Sequence, residues 1–177
     1  MIPEQLKYPI GKFEEPEIIT PGILSKWIEE ISAFPAKLKA EVSHLTEQQL
    51  ESTYRPGGWT IRQVVHHCAD SHMNSLIRFK LALTEEVPTI KPYKEDKWAE
   101  LSDAQMPIAP SLQLLEALHS RWVNLLNNLT DQELASRYYH PEQQKEIDLQ
   151  TTIGLYAWHG NHHLAHIKQA KRQHGLA

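Results

Sequence analysis

The sequence predicts an all-α fold, a four-helix bundle that is built from two pseudo-repeated helix pairs. Two observations support this prediction. Apolar residues recur at helical spacing in several long segments, as they do in amphipathic helices. Residues 45–54 also match residues 129–138 at six identical positions, and each copy lies between two predicted long helices. We therefore expect a single domain over residues 1–177, in which the second helices of the two pairs face one interior.

The chain begins with a segment in which a helix is not expected. Proline fixes φ and removes a backbone donor, and the first 21 residues carry four prolines, so we expect an extended N-terminal arm. The first long helix is predicted over residues 23–45, where apolar residues recur with helical periodicity. Pro35 lies inside this pattern and is expected to kink or split the helix.

Capping boxes mark the next two helix starts. In a capping box, the side chain of a Ser or Thr before the helix accepts a hydrogen bond from the backbone N–H of the third helical residue. The side chain of that third residue, a Glu or Gln, accepts one from the backbone N–H of the Ser or Thr. Thr46 and Gln49 have this pattern and predict a short helical segment. Thr60 and Gln63 repeat it and open a long helix that is expected to end near Leu83.

The second half is expected to resemble the first. Residues 84–110 contain four prolines and predict a long irregular connection. Residues 111–129 have the apolar periodicity of a helix, and residues 138–147 are polar and predict a loop. The last long helix is expected over residues 149–173, with Gly175 as its stop signal.

Composition excludes several classes of protein. A hydrophobic fraction of 41% is that of a globular domain, and a formal net charge of −4 is unlike the basic surface of a nucleic-acid-binding protein. Cys68 is the single cysteine, which excludes a disulfide scaffold and a cysteine-rich zinc module. No apolar run reaches the roughly 20 residues of a membrane span, and the first residues do not form a secretory signal. We therefore expect a cytoplasmic protein with neither nucleic-acid nor membrane partners.

Histidine is unusually frequent, with 11 residues, and its clustering indicates a metal site. In the last helix, His159 and His163 are spaced i and i+4 and can chelate one ion from one helix face. His162 and His166 lie with them on an arc of about 100°. The alternative is a polar face that happens to be rich in histidine. Gly160 stands where the HExxH motif needs its glutamate base, so zincin chemistry is not expected.

The histidines of the second helix allow two interpretations. His67 lies on a polar stripe that either faces solvent or lines an interior pocket, in which case His67 is a third ligand. Periodicity alone does not choose between His66 and His67, which lie about 100° apart. His72 is nearer the apolar stripe and is expected to pack as a core histidine.

Two motifs resemble those of the DinB/YfiT-like metalloprotein family, namely residues 59–70 and 158–166. The resemblance extends over essentially the whole chain and is close to the YfiT branch of metal-dependent hydrolases. It implies a DinB-like four-helix bundle in which His67, His159 and His163 hold one divalent ion per subunit. Zinc is the expected ion and nickel the alternative, in a cytoplasmic homodimer. Cys68 stands where leucine is more usual, and we interpret it as a small buried hydrophobe.

The resemblance implies a metal-dependent hydrolase that activates water for attack on a small-molecule substrate. The first alternative is an S-transferase in which the ion deprotonates a low-molecular-weight thiol of the bacillithiol type. The second alternative is a metal-binding protein without catalytic activity. Asp70 could accept the second ring N–H of His67 or act as a general base, and Arg78 could hold a substrate carboxylate. His162 and His166 could form hydrogen bonds around the ligands.

Overall fold

Helices dominate the computed structural model, which describes residues 3–176. The four long helices are α2 (Pro21–Val42), α4 (Ile61–Thr84), α6 (Ala109–Leu126) and α8 (Leu149–His174). Single-turn helices are α1 (Glu4–Lys7), α3 (Glu47–Leu50), α5 (Glu95–Trp98) and α7 (Asp131–Leu134), and Ser102–Gln105 form a 3-10 helix. The strands β1 (Arg137–His140) and β2 (Lys145–Asp148) form a small hairpin. The predicted all-α four-helix bundle is therefore confirmed, with this hairpin as an addition.

The four long helices pack in a square. α2 lies diagonally opposite α4, and α6 lies diagonally opposite α8. α2 packs against α6 and α8, and α4 packs against the same two helices. The second helices of the two pairs, α4 and α8, are consequently neighbours, as expected. Their neighbouring positions bring the two histidine clusters together inside the bundle. Within residues 3–176, none of the helices is both long and apolar enough to span a membrane.

Side-chain caps mark the start of three of the four long helices, α2, α4 and α8. The capping boxes at Thr46 and Thr60 are both present, and Thr130 forms a third one in the second copy of the repeat. Asp148 caps α8 by accepting from the Thr151 amide at 2.7 Å. Each such cap contributes about 1 kcal/mol. Gly175 ends α8 in the left-handed region, at φ 63°, where glycine is favoured.

The predicted loop at residues 138–147 is wrong, because this segment forms the hairpin β1–β2. The strands pair antiparallel, and Tyr138 lies opposite Ile147. Both side chains are buried, while Arg137, Lys145 and Glu146 of the same strands are exposed. Each strand has only four residues and therefore shows too little alternation to stand out from a polar loop.

Two other predictions of backbone shape need correction. Pro35 does not split the first long helix, since α2 continues through it and ends at Val42. The N-terminal arm is not wholly extended, because the single-turn helix α1 forms directly after Pro3. The arm lies along α8, where the Trp158 indole donates to the Gly11 carbonyl at 3.2 Å.

Two apolar clusters fill the bundle. The first surrounds Trp122 and includes Phe79, and the second includes Phe34 and Cys68. Cys68 is fully buried, and this burial raises the pKa of its thiol, so the group stays protonated and apolar. The interpretation of Cys68 as a small buried hydrophobe is therefore confirmed.

Gly160 is needed for the close approach of α8 to α2. A Cβ atom at this position would lie 2.8 Å from the Phe34 ring, and Phe34 is only 2% exposed and has no space to withdraw. We expect Gly160→Ala to lower the free energy of unfolding by about 1–3 kcal/mol through overpacking. Urea unfolding followed by circular dichroism measures this loss. The same contact explains why a glutamate cannot stand here.

The matched control is Gly22→Ala, which places a methyl group in a helix where the nearest atom is 3.9 Å away. Alanine is the better helix former, so this variant is expected to equal or exceed the wild type in stability. If Gly160→Ala were as stable as Gly22→Ala, the close packing of α8 on Phe34 would not be the reason for this glycine.

Candidate metal centre

Three histidines converge where α4 faces α8. His67 comes from α4, and His159 and His163 come from successive turns of α8. One nitrogen from each ring lies within 4.8 Å of the other two. His67 and His163 are buried, and His159 is half-buried. The structure therefore brings together the three residues that the resemblance implies, and it selects His67 over His66.

The distances between the rings suit a bound divalent ion. The Nε2 atoms of His67 and His159 are 3.2 Å apart. Two nitrogens at about 2.0–2.1 Å from a tetrahedral zinc ion would lie about 3.3 Å from each other. The Nδ1 atom of His163 is buried and has no hydrogen-bond partner among residues 3–176. An ion bound by one nitrogen of each ring would explain the close approach of the His67 and His159 nitrogens, so the residues fit the metal that the family resemblance implies.

Burial keeps these histidines in the neutral form that binds metal. Desolvation lowers the pKa of His67 to about 3, and nearby histidines add to the effect. The same two causes hold the pKa of His159 and that of His163 well below the usual range. Since all three donors are neutral, they would leave the full charge of a divalent ion available to polarise a bound molecule. Three protein ligands are also typical of catalytic rather than closed structural sites.

An open cavity of about 410 Å³ gives access to all three histidines. Aromatic rings form much of its wall, and the N-terminal arm closes one side with Lys7 and Tyr8. Arg55 and Glu95 provide charged groups at the cavity. This volume is within the range of small-molecule sites.

His162 and His166 belong to the cavity wall. His162 stacks on Trp158 with ring centroids 4.5 Å apart. Burial, followed by the neighbouring histidines, lowers the pKa of His162 to about 3. His166 stacks on Tyr54 at 3.9 Å and donates from Nε2 to the Lys7 carbonyl at 3.0 Å. Within the described part of the chain, neither ring forms a hydrogen bond with the three candidate ligands. The predicted hydrogen bonds around the ligands are therefore not formed by these two rings, which instead shape the cavity and anchor the arm.

His66 and Asp70 point to other parts of the bundle. His66 donates from Nε2 to the Met106 carbonyl at 3.0 Å, and its Nδ1 accepts from the Ser111 hydroxyl at 2.7 Å. Burial, followed by the charge of Asp103, raises the pKa of Asp70 to about 6. Across residues 3–176 the Asp70 carboxylate forms no hydrogen bond with His67. The role of Asp70 as a base stays a prediction.

Arg78 lies at a second cavity of about 450 Å³, on another side of His159. Tyr93 and His140 line the same cavity. In the region that the structure describes, no carboxylate forms an ion pair with Arg78. The guanidinium does not line the cavity that all three ligands share, and its binding of a substrate carboxylate stays a prediction.

Two further histidines, His72 and His119, lie beside the site, and the sequence predicted neither of them there. His72 is completely buried, as expected of a core histidine, but its Nε2 also lies 3.1 Å from Nδ1 of His159. His119 of α6 is 2.7 Å from His72 and was missed because it stands outside both histidine clusters. Its position on the buried stripe with Leu115 and Trp122 is the signal that could have identified it.

Comparison with known proteins gives close relatives over the full chain. A protein of Bacillus mycoides strain KBAB4, named "Putative metal-dependent hydrolase", is 54% identical over 96% of this chain and 98% of its own. A protein of Bacillus cereus strain 03BB102 with the same name is 54% identical over 95% and 96% of the two chains.

The fold is also shared with a solved structure. YfiT from Bacillus subtilis, described as "a probable metal-dependent hydrolase with an unusual four-helix bundle topology", is 50% identical and aligns with a TM-score of 0.95. The alignment covers 98% of this chain and 99% of that one. A model of the DinB superfamily matches residues 30–167, which include all three converging histidines. The chain therefore belongs to the DinB superfamily.

Proposed function

We propose that the protein is a metal-dependent hydrolase whose divalent ion is held by His67, His159 and His163. The observation that carries the proposal is the convergence of three neutral histidine nitrogens within 4.8 Å at an open cavity. An ion held by these three residues would supply Lewis acidity, which would lower the pKa of water toward neutrality for hydrolysis. The names of the relatives support the same activity. Zinc as the native ion, with nickel as the alternative, and a cytoplasmic homodimer are parts of this proposal.

The charges at the cavity favour an anionic substrate. Lys7 and Arg55 contribute two positive groups, and Glu95 contributes one negative group. The Nε–H group of Arg55 is buried without a hydrogen-bond partner among the described residues, so it can donate to an oxygen of a ligand. Gly58 permits this position, since a Cβ there would lie 2.7 Å from Cγ of Arg55. A carboxylate or phosphate on the substrate would pair with this guanidinium.

The test is a comparison of matched substrates with the metal-loaded protein. Aromatic esters, amides and phosphoesters would be assayed in pairs that differ only in an anionic substituent. We expect hydrolysis with a preference for the anionic member, and none in His163→Ala purified in parallel. Consumption of an electrophile only when a thiol is added would overturn the proposal in favour of the S-transferase. No turnover in either assay would favour a metal-binding protein without catalytic activity.

The sequence predicted Asp70 as the general base, but among residues 3–176 Glu95 is the carboxylate that lines the cavity of the three ligands, and we expect Glu95 to take this role. What supports Glu95 is that it lines both cavities beside His159, while burial, followed by the charge of Asp96, raises its pKa. Glu95→Gln should lower kcat by about 10²–10⁴ with metal content unchanged. Asp70→Asn is the matched control and should have little effect on kcat. The reverse result would assign the base to Asp70.

A further inference from the structure

A chain of three hydrogen bonds connects the candidate ligand His159 with the backbone of α2. Nδ1 of His159 lies 3.1 Å from Nε2 of His72, and Nδ1 of His72 lies 2.7 Å from Nε2 of His119. Nδ1 of His119 lies 2.7 Å from the carbonyl oxygen of Ile31. His72 is 0% exposed and His119 is 2% exposed, so water does not compete for these contacts. The chain thus starts at the metal site and crosses the core of the bundle.

The carbonyl at its end determines the direction of every hydrogen bond. A carbonyl oxygen only accepts, so Nδ1 of His119 must carry the proton. In a neutral ring the other nitrogen, here Nε2 of His119, is then an acceptor. It accepts a hydrogen bond from the Nδ1–H group of His72. By the same rule, Nε2 of His72 accepts from Nδ1 of His159. The Nε2 atom of His159 is thereby left without a proton, and this atom faces His67 in the candidate metal site.

We propose that His72 and His119 are positioning residues that hold His159 in its Nδ1–H tautomer and in the orientation needed to bind the ion. The proposal rests on the proposed function only in assuming that His159 is a metal ligand. A ligand histidine commonly donates its second N–H to one neighbouring acceptor, which fixes the tautomer and makes the ring a better donor to metal. Here that acceptor is the first of two buried histidines in series.

Packing around the two histidines prevents their rings from turning. The His72 ring lies against Phe34, Tyr156 and Trp122, with centroids 5.0, 5.3 and 5.9 Å away. The His119 ring lies against Phe34 and Trp122 at 5.6 Å from each. Both rings are almost completely enclosed by protein, which favours their neutral form.

The first test is nitrogen-15 NMR of the histidine side chains in the metal-free wild-type protein. Long-range nitrogen–proton correlations distinguish a protonated Nδ1 from a protonated Nε2. We expect His72, His119 and His159 all to be Nδ1–H tautomers, with signals assigned through single substitutions to glutamine. An Nε2–H tautomer at His72 or His119 would overturn the proposal. This measurement needs neither metal nor substrate, so its outcome is independent of the proposed function.

The second test measures zinc affinity by competition with a chromophoric chelator. His119→Phe removes the acceptor for His72, and we expect the zinc affinity to fall about 10–100-fold. His119→Gln keeps an acceptor oxygen near His72 and should retain most of the affinity. His66→Gln is the matched control, because His66 is a buried histidine of α4 outside the chain.

The three variants separate the possible outcomes. If folded His119→Phe bound zinc as tightly as the wild type, the proposal would be wrong. An equal loss of affinity in His66→Gln would show that general damage to the bundle, and not the hydrogen-bond chain, weakens binding. If the wild type bound no zinc or nickel, the proposed function would fail while the tautomer measurement still decided the roles of His72 and His119.

Discussion

Replacing His163 with alanine is expected to abolish binding of the divalent ion. The variant removes one of three neutral donors and leaves His67 and His159, which are too few to hold a divalent ion through purification. The wild type, purified without a tag or chelator, should contain about one ion per chain by elemental mass spectrometry. The variant should contain almost none. Hydrolytic activity should disappear with the metal.

The matched control for this experiment is His162→Ala. His162 is the adjacent residue on α8 and is also buried, but it packs on Trp158 rather than lying among the ligands. Its loss should leave the metal content unchanged. Equal metal content in His163→Ala and the wild type, or absence of metal from the wild type after addition of zinc and nickel, would contradict the assignment of the site.

Acidification is expected to destabilise the metal-free protein strongly, because many histidines are buried in the neutral form. Burial lowers the pKa of His67 and His162 to about 3, and that of His119 and His166 to about 4. In the unfolded chain they take up protons near pH 6.5. The unfolded state then binds more protons, so stability is fully present above about pH 6.5 and is lost as the pH falls toward 4.

The size of this effect is large compared with the stability of a domain. Each such histidine contributes at most about 1.4 kcal/mol per pH unit, so four contribute at most about 5.6 kcal/mol per unit against a total free energy of unfolding of roughly 5–15 kcal/mol. Urea unfolding with a chelator present, at about pH 7.5 and about pH 5.5, measures the change. His162→Phe removes one titrating ring and should reduce the pH dependence. Equal stability at both pH values would show that these histidines are not buried and neutral.

Local sequence patterns were sufficient to predict the long helices. The capping boxes at Thr46 and Thr60 each depend on contacts between residues three positions apart, and both are present as expected. The repeat was informative for the same reason, since Thr130 opens its second copy with the same cap. The hairpin was missed because its stability depends on burying Tyr138 and Ile147 against residues distant in sequence.

The candidate site was only partly predictable because two helices form it. The spacing of His159 and His163 showed that one helix face could chelate, which is a local property. The choice of His67 over His66 depends on which side of α4 faces α8, and periodicity alone left this open. The place of His119 beside the site depends on a contact across the bundle with His72, which is 47 residues away in the sequence. Such contacts follow from the order in which helices pack, which no single-helix pattern specifies.

The most direct test of the central claim is a crystal structure of the zinc-loaded protein with anomalous diffraction data at the zinc edge. We predict one strong peak bound by nitrogens of His67, His159 and His163 at about 2.0–2.1 Å, with the remaining coordination filled by solvent. The peak should face the cavity that contains Arg55 and Glu95. A peak elsewhere would contradict the site, and a fourth protein ligand closing the coordination sphere would contradict the catalytic role.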